Sequence, residues 1–170
     1  MNLTKLIRDI PDFPEPGIVF KDITPLLQSV DGFRYAVEMF SDRYRECPVD
    51  AVVGVEARGF FFAAPVALAL GKPFIPIRKR GKLPSRTRSM AYELEYGTGV
   101  VEIHEDAISP GSNVLLMDDL LATGGTLRAS AKLIEQAGCN VVEIAVLIEL
   151  LQLRGHCFLE GYQLYSLLQL

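Results

Sequence analysis

The chain has 170 residues, enough for one well-buried domain and too few for two ordinary ones. Its 49% hydrophobic and 22% charged content is that of a soluble globular protein, and a formal charge of −4 argues against a nucleic-acid surface. The longest apolar run, residues 60–70, falls far short of the roughly 20 residues needed to span a bilayer.

Residues 1–30 contain Pro11, Pro14, Pro16 and Pro25 and resist regular structure. Phe13, Ile18, Val19 and Phe20 are costly to leave in water, so this segment reads as an ordered flap and not as a linker. Its charged start, with Lys5, Arg8 and Asp9, has no apolar signal-peptide core. Residues 31–44 read as a helix with Asp31 as N-cap and Phe33, Val37, Phe40 and Tyr44 on one face. The apolar run 51–55 is a buried strand, and 59–70 a helix that Pro65 should kink or end near a turn. Residues 74–77 form a second strand, and 90–96 and 100–103 a hairpin around 97–99. A third strand covers 113–117, an amphipathic helix 126–137 with Gly138 as its stop, and a fourth strand 141–147.

Strands alternating with helices imply an α/β fold on a mainly parallel sheet. Ligands of such sheets lie beyond the carboxyl ends of the strands. The segments 56–60 and 118–126 both sit there and can converge.

Cys47, Cys139 and Cys157 are odd in number and form no C-x-x-C, which suits reduced thiols in a cytoplasmic chain. His104 and His156 are far apart and away from the cysteines, so no zinc site is expected. His104, Glu105 and Asp106 read as a surface turn. Between Arg78 and Arg88 lie six basic side chains and no acid, although acids outnumber bases 21 to 17 overall. A basic cluster in an acidic chain points to a local polyanion site.

The most specific stretch is residues 114–126, V-L-L-M-D-D-L-L-A-T-G-G-T. Asp118 and Asp119 can accept hydrogen bonds from ribose hydroxyls. Ala122, Thr123, Gly124, Gly125 and Thr126 can aim backbone N–H groups and two hydroxyls at a phosphate, with the helix dipole behind them. A buried strand followed by a solvated Asp pair and a flexible turn is the alternative. The segment is neither G-x-x-x-x-G-K-[ST] nor G-x-G-x-x-G.

Residues 114–126 resemble the phosphoribosyl-pyrophosphate motif of type I phosphoribosyltransferases, and D-D-L-L-A-T-G-G-T is similar to its wording in the adenine-using members. The resemblance extends in family order through I-P-D-F-P-E-P-G-I-V-F-K-D (10–22), E-A-R-G-F (56–60), I-R-K-R-G-K-L-P (77–84), L-E-Y-G (94–97) and S-L-L (166–168). It implies a single-domain α/β phosphoribosyltransferase fold, with a base-binding hood (1–30) and a flexible catalytic loop (78–99). The implied reaction is purine salvage: adenine and 5-phosphoribosyl 1-pyrophosphate give AMP and pyrophosphate.

The resemblance also implies roles. Phe20 stacks on the base, and the backbone of Val19 and Lys21 pairs with its edge. Arg58 and the amides of its loop hold pyrophosphate. Many relatives carry Asp-Ser where this chain has Glu56-Ala57, which leaves the role of Glu56 open. Arg78, Lys79 and Lys82 neutralise the departing pyrophosphate, and the arginine of this stretch reaches a neighbouring subunit's site, which implies a homodimer. Glu95 exchanges a proton with the purine ring, with Glu93 its rival, and Tyr96 packs against the reactants. Mg²⁺ is held mainly by substrate oxygens, without direct protein ligands. No nucleic-acid or membrane partner is expected. A non-catalytic phosphoribosyl-pyrophosphate sensor and a transferase for another base are the competing readings.

Overall fold

The computed structural model describes residues 1–93 and 98–170. After a 3-10 turn at Leu3–Leu6 come β1 (Arg8–Pro11), β2 (Val19–Asp22), α1 (Thr24–Gln28) and α2 (Val30–Tyr44). The middle of the chain forms β3 (Ala51–Val55), α3 (Phe60–Leu70), β4 (Phe74–Lys79), β5 (Thr87–Glu93) and β6 (Thr98–His104). There follow β7 (Asn113–Leu121), α4 (Gly125–Gln136), β8 (Asn140–Glu149), a 3-10 turn at Leu151–Leu153, α5 (Gly155–Phe158) and β9 (Leu164–Gln169).

Among the described residues, seven strands share one sheet in the order β5-β6-β4-β3-β7-β8-β9, and β1 pairs with β2 apart from it. From β4 to β9 the neighbours are parallel, as the alternation of strands and helices predicts. The β5–β6 hairpin then adds an antiparallel edge, with Arg78 opposite Glu102.

Both faces of the central strands are covered, so β3 is buried at every position. On one face Val53, Leu116 and Val146 pack beneath Leu127, Leu133 and Ile134 of α4. On the other, Val52, Leu115 and Leu147 meet Phe40 of α2 and Phe62 and Val66 of α3. Alternate strand residues thus feed two cores, the period-2 geometry of a pleated strand. Pro65 lies inside α3 without ending it, and the helix runs on to Gly71, whose φ of 64° closes it. Packing on the sheet outweighs the one lost backbone hydrogen bond.

The first 30 residues are more regular than their prolines suggest. β1 and β2 form a hairpin, with Arg8 opposite Asp22 and Pro11 opposite Val19, and Pro14 and Pro16 fall in the connection between them. Ser29, not Asp31, caps α2: its hydroxyl accepts from the Gly32 N–H at 3.1 Å, and Asp31 sits in the first turn. β7 runs four residues further than predicted because β8 continues beside it, pairing Asp118 with Val146 and Leu121 with Glu149. The two aspartates are therefore strand residues and not part of a turn. Within 78–99, residues 87–93 form β5. β9 is a further strand that the apolar pattern did not mark out.

Candidate active site

At the end of β7 the chain turns sharply into α4. Gly124 makes this possible with a φ of 90°, and a β-carbon there would stand 2.8 Å from the Gly155 carbonyl oxygen. No side chain caps α4, so its first-turn amides have no intrahelical partner. They face a small pocket of about 90 Å³ lined by Asp118, Ala122, Thr123, Gly124, Gly125 and Thr126. Amide donors, hydroxyls and the positive helix end converge there on the space for one anion. From behind, α5 braces the turn: Arg128 donates to the Phe158 carbonyl at 2.8 Å and lies over the Phe158 ring.

The pocket adjoins a cleft of about 1000 Å³ at the carboxyl ends of β3, β4 and β7. Asp118 lines both, and Asp119 lines the cleft. As neighbours on a strand they leave the sheet in different directions. Asp118 Oδ1 accepts from the Asp119 N–H at 2.8 Å. Asp119 meets Arg58, whose Nε donates to its Oδ2 at 2.6 Å. The same guanidinium donates to the Lys21 carbonyl at 3.1 Å and lies 4.8 Å from the centre of the Phe20 ring. Arg58 thereby ties the β1–β2 hood to the aspartate pair.

Arg78, Lys79 and Arg80 make another part of the cleft lining basic. Arg78 grips Glu56 with two nitrogens, at 2.9 and 3.2 Å, and donates to the Lys82 carbonyl at 3.0 Å. Val19, Phe20, Lys21, Arg58, Arg78, Lys79, Asp118, Asp119, Ala122 and Thr126 all line this cleft. Thr123, Gly124 and Gly125 line the small pocket. Lys82 does not border the cleft; its backbone carbonyl holds Arg78 and its side chain is exposed. Glu95 and Tyr96 lie outside the described residues.

The comparisons with known proteins agree with this geometry. Residues 26–157 match the phosphoribosyl transferase domain model. The adenine phosphoribosyltransferase of Halothermothrix orenii is 56% identical over 169 residues, covering 99% of both chains. The crystal structure of the adenine phosphoribosyltransferase from Thermoanaerobacter pseudethanolicus is 50% identical, with a TM-score of 0.96 over 99% of this chain and 98% of that one. That of Trypanosoma brucei, solved in complex with AMP, pyrophosphate and ribose-5-phosphate, is 26% identical, with a TM-score of 0.90 over 98% of this chain and 78% of that one.

The chain belongs to the adenine phosphoribosyltransferase family.

Burial sets the electrostatics of this phosphoribosyltransferase. It lifts the Asp118 carboxyl well above the usual carboxylate range, and the adjacent Asp119 adds to the rise. Asp119 is also raised by burial, against the pull of Arg58. Glu56 moves the other way: Arg78 beside it holds its carboxyl below the ordinary range.

Several cleft residues of the phosphoribosyltransferase escaped the sequence reading. Leu150 and Leu153 border the cleft along with Phe20. They follow β8 directly, so the rule that ligands sit beyond strand carboxyl ends could have found them. Tyr92 also borders the cleft, opposite Gly99 on the β5–β6 hairpin. A β-carbon on Gly99 would stand 2.5 Å from the Tyr92 ring, so the glycine makes room for it. No local pattern marks Tyr92.

Proposed function

We propose that the protein transfers the phosphoribosyl group of 5-phosphoribosyl 1-pyrophosphate to adenine, releasing pyrophosphate and forming AMP in purine salvage. One observation carries this: the hood and the Asp118–Asp119 pair line one cleft, and Asp118, Ala122 and Thr126 line both that cleft and the anion pocket at 122–126. A ribose held by that pair has its 5′-phosphate at one end and a flat base at the other.

The bond from ribose C1 to pyrophosphate breaks as the adenine N9–C1 bond forms, and the N9 proton departs. Positive charge grows on the ring while negative charge grows on the leaving group. The carboxylates of Asp118 and Asp119 hold the hydroxyls and stabilise that ring. The basic part of the cleft, with Arg78 and Lys79, receives pyrophosphate. Phe20 stacks on adenine, the backbone of Val19 and Lys21 pairs with its edge, and Glu95 exchanges the purine proton. Fixing both ends of the reactant removes most of the entropy from the encounter.

Glu56, Asp118 and Asp119 are the carboxylates lining the cleft among the described residues, and Glu56 is already engaged by Arg78 and Asp119 by Arg58. A hard cation such as Mg²⁺ would therefore draw most of its oxygen ligands from pyrophosphate and ribose. When bound it supplies neutralisation of the leaving group.

A homodimer is supported by the outer face of α3, where Phe61 is 45% and Leu68 83% exposed. A cytoplasmic setting is supported by Cys47, Cys139 and Cys157, which are free thiols.

Incubating the protein with phosphoribosyl pyrophosphate, Mg²⁺ and each base in turn tests the reading. AMP from adenine, with little product from guanine, hypoxanthine, orotate or uracil, is the expected result. No nucleotide from any base favours the sensor. Product from another base alone moves the substrate assignment.

A further inference from the structure

Glu56 stands at the tip of β3, where a carboxylate is electrostatically costly if pyrophosphate is to arrive. Its position makes sense through what it holds. Oε1 accepts from Arg78 Nη2 at 2.9 Å. Oε2 accepts from Arg78 Nε at 3.2 Å and from the Lys79 N–H at 3.0 Å. The remaining Arg78 nitrogen, Nη1, donates to the Lys82 carbonyl at 3.0 Å. The Glu56 N–H itself bonds the Ile77 carbonyl at 2.8 Å.

One carboxylate thus fastens three pieces of backbone: the end of β3, the end of β4 and the basic turn that follows. Arg78 has a fixed fork of five N–H groups, three of which these contacts occupy. Its side chain remains 33% exposed and borders the cleft, so the free edge is available to an anion. A single acid neutralises little of the attraction, because six basic side chains lie between Arg78 and Arg88. What it supplies is order, since an arginine already held in place loses less freedom when an anion binds.

We propose that Glu56 is a positioning residue that aims Arg78 and the basic turn at the departing pyrophosphate. The proposal rests on the reading that this part of the cleft receives pyrophosphate.

The test compares wild type with Glu56→Gln, Glu56→Asp, Arg78→Gln and the Glu56→Gln/Arg78→Gln double variant. Steady-state kinetics give kcat and both KM values. Calorimetry gives the Kd of pyrophosphate and, separately, of ribose-5-phosphate. Glutamine keeps the size but replaces one acceptor oxygen with a donor. Glu56→Gln is expected to raise the phosphoribosyl-pyrophosphate KM and the pyrophosphate Kd by about tenfold. The adenine KM and the ribose-5-phosphate Kd are expected to stay within about twofold, which is inside the spread for an undisturbed site. Glu56→Asp keeps the charge and is expected to recover part of the loss. The double variant is expected to be no weaker than Arg78→Gln alone, because Glu56 acts through Arg78.

Unchanged pyrophosphate affinity in Glu56→Gln overturns the proposal. So does an equal loss of ribose-5-phosphate affinity, which marks a general loss of structure, or full additivity in the double variant. A wild type that makes no AMP defeats the activity assignment, while the pyrophosphate comparison still decides the role of Glu56.

Discussion

Gly59 has no room for a β-carbon. One placed there would stand 2.6 Å from the Val55 carbonyl oxygen, 2.8 Å from Asp118 Oδ1 and 3.0 Å from Asp118 Cα. Its φ of −59° is ordinary for any residue, so space and not backbone freedom demands the glycine. Gly59→Ala must push the loop after β3 away from the aspartate strand. It is expected to cost about 1–3 kcal/mol, as overpacking does, and to abolish most AMP formation. Thermal unfolding and turnover measured on the same preparation check both. Asp118 presents the converse case. Its raised carboxyl binds a proton in the folded chain at pH values where the unfolded chain has released it. Stability therefore falls as pH rises from the ordinary carboxylate range through the raised value. Asp118→Asn keeps an acceptor for the Asp119 N–H and removes the titrating group. It is expected to stabilise the free protein at pH 7, because the folded chain no longer holds a carboxyl whose ionisation burial opposes, while turnover collapses. The gain should shrink toward pH 4, and melting temperatures across that range measure it. Asp118, Asp119 and Gly124 were legible because their motif is contiguous. The partnership of Arg58 with Asp119 was not, for it joins positions 61 residues apart.

The hood owes its shape to an ion pair more than to an apolar pattern. β1 and β2 are four residues each and show no clean alternation of burial, which is why prolines dominated their reading. Asp22 gathers them: it accepts from Arg8 Nε at 3.0 Å, from the Thr24 N–H at 2.9 Å and from the Thr24 hydroxyl at 2.8 Å. The Thr24 amide and Arg8 draw its carboxyl down to about 2. A depressed carboxyl contributes stability above its unfolded value, lost as pH falls from about 4 toward 2. Asp22→Asn is expected to speed amide exchange across residues 8–22. It should raise the adenine KM by no more than about fivefold, since pairs with a partner as exposed as Arg8 contribute under about 1 kcal/mol. Ribose-5-phosphate affinity should hold, because no hood residue lines the anion pocket. Loss of both affinities together would contradict a local role for the hood. At this level the sheet strands other than β9 were legible and the hood strands were not. A buried strand announces itself by apolar residues, whereas an exposed hairpin depends on a partner elsewhere in the chain.

Viewed as one body, the molecule leaves α3 half covered. Phe61 and Leu68 face outward while Phe62 and Val66 fill the core beneath them. Phe61→Glu with Leu68→Glu is expected to convert the proposed dimer to monomers at micromolar concentration without unfolding the chain, as sedimentation velocity and thermal melting would show together. A dimer that persists would remove α3 from the interface. No helix among the described residues is long and apolar enough to cross a membrane. The parts whose chemistry resides in consecutive residues could be read from the chain: the anion turn, its helix dipole and the paired acids after an apolar strand. Their chemistry lies in adjacent residues, although β8 beside them and α5 behind them hold the geometry. The hood's attachment, the Leu150 and Leu153 contribution to the cleft and the task of Glu56 emerged only from the folded arrangement. Each is a relation between separated segments, and a charge or apolar wall acquires its effect from what stands across the gap.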